Sequence, residues 1–174
     1  MVRSPTVTGE TGRVRTAPLA VSCLLALSVV TGCGSSSASG GACAPAIHEA
    51  LDPGSIQHVL PGAEPHYLTD PPTSGAHQPS PPIRSLQTSP LSRPVQVGVL
   101  EQGHIVVQYR GIPAADVTAL RTLVGPRVVV APAASLPRGQ HVVATAWLYK
   151  QVCRAVDLPT LRRFITARAG KGPT

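Results

Sequence analysis

After residue 43 the chain divides into a proline-rich half and a half rich in β-branched residues. Proline fixes the backbone φ angle and has no N–H to donate, so residues 44–94 cannot build a long helix or a central strand. Turns, extended backbone and short strands remain open to this stretch. We therefore expect it to form a long irregular segment that covers a core supplied by the rest of the chain.

Four runs in the second half have the composition typical of β-strands. Each is dominated by β-branched residues and bounded by glycine, proline or polar residues. The runs are "VQVGV" at 95–99, "HIVVQY" at 104–109, "RVVVA" at 127–131 and "HVVATAWLY" at 141–149. They predict a small, mostly antiparallel sheet.

Two further stretches have helical spacing. In residues 113–124, Pro113 suits the first turn of a helix and apolar residues recur at intervals of three and four. In residues 157–170, Asp157 is a typical N-cap, Pro159 suits the first turn and Gly170 is a typical stop. The predicted fold class is therefore α+β, with the sheet covered by two helices and wrapped by the proline-rich segment.

The first 33 residues have the order of a secretory signal. A basic stretch is followed by the apolar run "LAVSCLLALSVVTG" at 19–32, which is shorter than the ~20 residues that a membrane-spanning helix needs. The run leads into "VTGC", which resembles the bacterial lipobox and would make Cys33 the lipidated residue. We expect a signal segment at 1–33, a flexible tether at 34–42 and one extracytoplasmic domain at 43–172. A lipid on Cys33 would anchor this domain to the cell membrane. The alternative is an unlipidated secreted form.

Only Cys43 and Cys153 remain among the four cysteines once Cys23 is removed with the signal and Cys33 is used as the anchor. In an oxidising compartment two remaining cysteines usually pair, so we expect a disulfide. A metal or redox role is the alternative, although neither cysteine has a CxxC partner.

The charge pattern does not favour a nucleic-acid partner. The chain has a net charge of +7, but its basic residues are scattered and only 3% of its residues are aromatic. Binding to single-stranded nucleic acid needs aromatic residues interleaved with cations. The expected partners are instead the membrane, through the anchor, and an unidentified protein of the cell envelope.

The stretch "HYLTDPPTSGAH" at 66–77 resembles the "PPTSGPH" signature of the bacterial extracytoplasmic family of unknown function numbered 3105. The similarity extends through "VLEQGHIVVQY" to the closing helix and covers residues 43–172. The family's "HxLEHG" segment has two histidines where this chain has Gly98 and Gln102. The resemblance implies the domain boundaries and the location, and it implies no activity.

Imidazole and carboxylate side chains of this region form a candidate copper or zinc site, because both ions accept mixed nitrogen and oxygen ligands. The candidate ligands are His66, His77, Glu101 and His104. His48, His58 and His141 rank below them. Glu101 and His104 converge only if "EQG" turns before the following strand begins.

The alternative is a structural or interaction module without a metal, in which the "PPTSGAH" loop recognises a protein of the envelope. The residues of this candidate binding loop are Tyr67, Pro71, Pro72, Thr73, Ser74 and Gly75.

An enzymatic function is not favoured by the sequence. Ser74 lies in no G-x-S-x-G elbow, and the nearest base, His77, is three residues away in a rigid turn. Paired carboxylates and a phosphate-binding loop are not evident. We therefore expect a module that binds a ligand rather than one that transforms it.

Overall fold

The chain folds around one five-stranded sheet in a computed structural model that describes residues 41–173. The strands follow the order β1-β5-β4-β2-β3, in which only β2 and β3 are parallel neighbours. Their bounds are Ile47–His48 for β1, Ile105–Tyr109 for β2, Val128–Pro132 for β3, Val142–Ala146 for β4 and Tyr149–Cys153 for β5. The α+β class and the mostly antiparallel sheet are confirmed.

Three α-helices accompany the sheet in the described range: α1 (Arg93–Glu101), α2 (Ala114–Arg121) and α3 (Leu158–Arg168). Helices α2 and α3 correspond to the two predicted helices. Asp157 caps α3, since its side chain accepts a hydrogen bond of 3.0 Å from the backbone N–H of Thr160. A short 3₁₀ helix, Pro53–Ile56, lies in the proline-rich segment.

Both faces of the sheet are buried. Ile105 and Val107 of β2 point into a hydrophobic cluster that includes residues of α2 and α3. Val106 points to the opposite face, where it packs with residues of α1, with Trp147 and with Tyr67 of the proline-rich segment. Because successive side chains of a strand alternate between faces, a strand covered on both sides needs apolar residues at consecutive positions, as β2 has from Ile105 to Val107.

The prediction of a strand at residues 95–99 is wrong, because this run lies inside α1. Pro94 occupies the first turn of the helix, and Val97, Val99 and Leu100 are buried against the sheet. Tertiary packing therefore overrides the preference of valine for strands. Three helices, rather than the predicted two, therefore accompany the sheet in the described range.

The sequence predicts one strand at 141–149, but this run contains β4, a turn and the first residue of β5. Strands β4 and β5 are joined by a two-residue turn, Trp147 and Leu148. The sequence has no glycine or asparagine there, although Leu148 has a φ of +61°. Because the glycine or asparagine typical of such turns is absent, the sequence does not mark this one.

The disulfide between Cys43 and Cys153 is present, as predicted. It joins residues 110 positions apart and ties the start of the domain to the end of β5. The predicted signal segment, Cys33 and nearly all of the tether lie outside the described residues. Among the described helices, none combines the length and the apolar character needed to cross a bilayer.

Candidate metal centre

The "PPTSGAH" segment lies inside the protein, with every residue from 71 to 77 buried. Gly75 has a φ of +128°, and a Cβ there would lie 2.7 Å from the ring of Tyr67. The Tyr67 hydroxyl donates a hydrogen bond of 2.7 Å to the carbonyl of Ala76. Burial raises the pKa of Tyr67 far above its usual value, with a smaller contribution from Glu64, so the phenol remains a neutral donor.

Hydroxyl groups anchor the other residues of this segment. Ser74 Oγ accepts a hydrogen bond of 2.9 Å from the backbone N–H of Asp52, and Thr73 Oγ1 donates one of 2.7 Å to Glu49 Oε2. Glu49 Oε1 also lies 2.8 Å from the ammonium of the buried Lys150 on β5. The segment is therefore fixed to the sheet through a buried ion pair.

His77 ends the segment, and hydrogen bonds fix its imidazole ring. The side chain is fully buried, and Nδ1 lies 2.9 Å from the carbonyl oxygen of Gly75. A carbonyl only accepts, so Nδ1 carries the proton and donates it to this bond. With the proton on Nδ1, the lone pair of an uncharged ring is on Nε2, which is the arrangement of a metal-binding histidine.

His77 Nε2 lies 2.8 Å from Oε2 of Glu101 but makes no hydrogen bond with suitable angles among residues 41–173. The distance is that of an ion pair, but a hydrogen bond weakens steeply when it is bent, so the poor angles make any direct bond here weak. Two ligand atoms of one zinc or copper ion are separated by about 2.8–3.4 Å for metal–ligand distances near 2.0–2.1 Å and ligand–metal–ligand angles from 90° to tetrahedral, so the 2.8 Å of this pair lies at the short end of the range. The pair is thus spaced for a shared cation and poorly aligned for a direct bond.

Glu101 is the last residue of α1, and its side chain is 31% exposed. The carboxyl end of a helix carries a partial negative charge, which disfavours a carboxylate there. No lysine or arginine forms an ion pair with Glu101 in the part of the chain that the structure describes. A bound cation would compensate both the Glu101 carboxylate and the partial negative charge at the end of α1.

His58 completes a group of three possible ligands. The ligand atoms of His58, His77 and Glu101 all lie within 4.8 Å of one another. A parallel bridge joins the two histidines through hydrogen bonds from Val59 N to His77 O and from His77 N to Gln57 O, of 2.9 and 3.0 Å. Residues paired in register point to the same side, so the bridge brings the two imidazoles together. His58 is exposed, and its ring centroid lies 5.0 Å from that of His77 in an edge-on arrangement.

The structure assembles only part of the predicted ligand set. His77 and Glu101 belong to the group, whereas the exposed His66 and the half-buried His104 do not. Burial, assisted by the charge of Arg127, lowers the pKa of His104 below its usual value, and its Nδ1 has no hydrogen-bond partner among residues 41–173. The turn after Glu101 does occur, but it does not bring His104 to this group.

No local motif marks His58 as a ligand. It is 19 residues before His77, and the interval contains turns that hide the pairing of the two backbones. The signal lies in a tertiary contact, which a single sequence does not show.

The two departures from the "HxLEHG" pattern have structural counterparts. A Cβ at Gly98 would lie 2.0 Å from the backbone oxygen of Gln78, so no side chain fits there. Gln102 is exposed and donates a hydrogen bond of 3.2 Å back to the carbonyl of Gly98. Neither position supplies a ligand in this chain.

The candidate binding loop offers little surface to a partner. Its six residues, Tyr67, Pro71, Pro72, Thr73, Ser74 and Gly75, are all buried. The loop positions His77 and is not itself exposed for recognition.

Two imidazoles and one carboxylate form a ligand set that suits zinc with an open fourth position, and copper(II) accepts the same donors. The open position would be available to water or to a small ligand. The hydrogen bond from His77 to Gly75 is the outer contact that normally orients a metal-binding histidine.

Comparison with known proteins identifies a family. The family model described as "Protein of unknown function (DUF3105)" matches residues 58–174, a range that begins at His58 and includes His77 and Glu101. No curated protein and no solved structure shows significant similarity to the chain.

Proposed function

From the premise that the chain belongs to the DUF3105 family, whose description gives no activity, we propose that it is a binding module for one zinc or copper ion. The ligands are His58, His77 and Glu101. The observation that carries the proposal is His77 Nε2, which is buried, 2.8 Å from a carboxylate oxygen and without a well-directed hydrogen bond to any residue of the described range 41–173. A buried nitrogen without a partner is costly, and a shared cation removes that cost.

The surroundings of His77 support this function over an interaction loop. A recognition loop has to expose its side chains, whereas residues 71–77 are buried. The hydrogen bonds of Thr73, Ser74 and Gly75 all hold the segment that carries His77. Such preorganisation lowers the entropy that is lost when a ligand is bound.

We also propose that the module is lipid-anchored through Cys33 on the extracytoplasmic face of the cell membrane. The order of basic stretch, apolar run and "VTGC" supports this location. The disulfide between Cys43 and Cys153 is consistent with it, since such bonds persist in oxidising compartments. Mass spectrometry of the mature N-terminus should find a diacylglyceryl group on Cys33, and an unmodified Cys33 in a membrane-bound protein would contradict the anchor.

A metal titration tests the binding function. The purified chain is stripped with a chelator, dialysed and titrated separately with Zn(II) and Cu(II), and the bound metal is counted by mass spectrometry. We expect one ion per chain. A chain that retains no ion at a micromolar free concentration would contradict the proposal.

Matched variants separate the observed ligand group from the one that the sequence predicted. His58→Ala removes an exposed ligand and leaves the buried segment intact, so we expect metal affinity to fall by at least about tenfold. His66→Ala removes an exposed histidine outside the group and should leave the affinity unchanged. Equal losses in the two variants would exclude this ligand set.

A further inference from the structure

A cleft of about 450 Å³ lies beside the metal group, with Glu101 in its wall. It is bounded by the turn between β4 and β5, by the start of the proline-rich segment and by the residues that follow α3. This volume is within the range of small-molecule sites, which are roughly 300–1,000 Å³. The cleft is therefore large enough for an organic ligand and is not merely the opening of the metal site.

The walls of the cleft are mainly apolar and aromatic. Trp147 and Tyr149 line it, and the ring of His48 lies 4.7 Å from that of Tyr149 between centroids. Leu51 and Ile56 line the same cleft and are 56% and 92% exposed. Large apolar side chains exposed beside aromatic rings are typical of a ligand site.

Two cations line the cleft. The guanidinium of Arg168 stacks on the ring of Tyr149, with its central carbon 3.3 Å from the ring centroid. Stacking uses the face of the guanidinium and leaves the N–H groups at its edge able to bind an anion. Lys171 lies nearby and is exposed, and neither cation forms an ion pair within residues 41–173.

The turn that forms one wall is held in an unusual conformation. Leu148 has a φ of +61°, which is unfavourable for a branched side chain. Its backbone N–H donates to Thr73 O at 3.2 Å, and its carbonyl accepts from Glu49 N at 2.9 Å. Strained residues held by their surroundings occur preferentially at ligand sites. This turn is fixed before any ligand arrives.

We propose that the cleft binds a small aromatic carboxylate. The ring packs against Trp147, Leu51 and Ile56, and the carboxylate pairs with Arg168 and Lys171. An aromatic body matches the aromatic wall, and a negative charge matches the two cations, Arg168 and Lys171, which outnumber the one carboxylate among the lining residues, Glu101. The inference goes beyond the metal function and does not depend on it, because none of these contacts requires an ion.

The test uses metal-free protein, so that failure of the metal site and failure of the cleft are distinguished. Isothermal titration calorimetry compares 2-naphthoate with 2-naphthamide, which has the same ring and no charge. We expect one site and an affinity about fivefold higher for the acid, the upper range for one exposed ion pair. The chain has one tryptophan, so the single indole N–H resonance of Trp147 in an NMR spectrum should shift as the acid binds.

Charge variants locate the carboxylate. Lys171→Gln removes an exposed cation of the cleft, and Arg168→Gln removes the stacked one; each should reduce the preference for the acid. Arg138→Gln makes the same change of charge on an exposed loop outside the cleft and should have no effect. Circular dichroism checks that each variant is folded.

Four outcomes would overturn the proposal. They are equal affinities for acid and amide, an unmoved Trp147 resonance, an equal effect of Arg138→Gln, and the absence of binding at millimolar 2-naphthoate. The expected pattern, with loss of preference confined to Arg168 and Lys171, supports it.

Discussion

Gly75 lies directly against the ring of Tyr67, so that a Cβ at position 75 would be 2.7 Å from Tyr67 Cδ1. The Tyr67 hydroxyl donates a hydrogen bond to the carbonyl of Ala76, and this bond opposes movement of the ring away from Gly75. The contact explains why glycine occupies this position, and it controls the path of the backbone into His77.

Gly75→Ala should therefore destabilise the protein by about 2–4 kcal/mol, through the positive φ and the clash with Tyr67. Gly62 is the matched control: its φ is +87°, but a Cβ there meets no atom of residues 41–173 within 4 Å. Gly62→Ala should cost only about 1–2 kcal/mol. Urea denaturation measures both changes, and equal costs would show that the contact with Tyr67 is unimportant.

Introducing a side chain at Gly98 should destabilise the fold rather than provide a metal ligand. Gly98→Ala places a Cβ 2.0 Å from the backbone oxygen of Gln78, and we expect a loss of about 3 kcal/mol or more. Gly125→Ala is the control, because the nearest atom to its Cβ is 4.0 Å away. Thermal denaturation followed by circular dichroism distinguishes them, and a Gly98→His variant with full stability and tighter metal binding would refute the interpretation.

Removing the negative charge of Glu49 should be strongly destabilising. Lys150 is buried and its ammonium lies 2.8 Å from Glu49 Oε1, so Glu49→Gln leaves a buried charge without its partner. The expected cost is about 3–5 kcal/mol. The double variant Glu49→Gln/Lys150→Met should recover part of this loss in chemical denaturation, and a double variant less stable than the single one would contradict the argument.

The cap of α3 should make a contribution that depends on pH. Hydrogen bonds from the backbone and side chain of Thr160 lower the pKa of Asp157 below its usual value. A group with a depressed folded pKa stabilises the protein above its unfolded pKa, here 3.8, and loses that effect as the pH falls through the folded pKa.

We therefore expect Asp157→Ala to cost about 1 kcal/mol at pH 7 and less at pH 3. Asp116→Ala, in the first turn of α2, removes an acid that makes no side-chain hydrogen bond within residues 41–173 and serves as the control. Denaturation curves at the two pH values supply the measurement. A cost for Asp157→Ala that does not change with pH would be inconsistent with the cap.

Local chemistry made much of the fold predictable. Asp157 and Pro159 mark the start of α3, and β2 and β3 each begin with three consecutive β-branched residues. The errors arose where tertiary contacts outweigh local preference. Val97 and Val99 lie in a helix because its buried face packs on the sheet, and Leu148 forms a turn that hydrogen bonds from outside the hairpin hold in place.

The candidate site was predictable to the same degree. His77 and Glu101 are marked by local motifs, "PPTSGAH" and "LEQG", and both belong to the observed group. His58 reaches the group only through its backbone bridge to His77, a contact that no periodicity encodes. His66 is close to the motif in sequence, yet its side chain is exposed and lies outside the group.

The disulfide also determines how the domain bears mechanical load. Tension that arrives along the chain from residues before Cys43 passes through the sulfur–sulfur bond directly into the end of β5. The residues between the two cysteines form a covalently closed loop that includes His58, His77 and Glu101. A pull between the N-terminal side and the end of β5 therefore runs through the sulfur–sulfur bond rather than along the backbone of this loop.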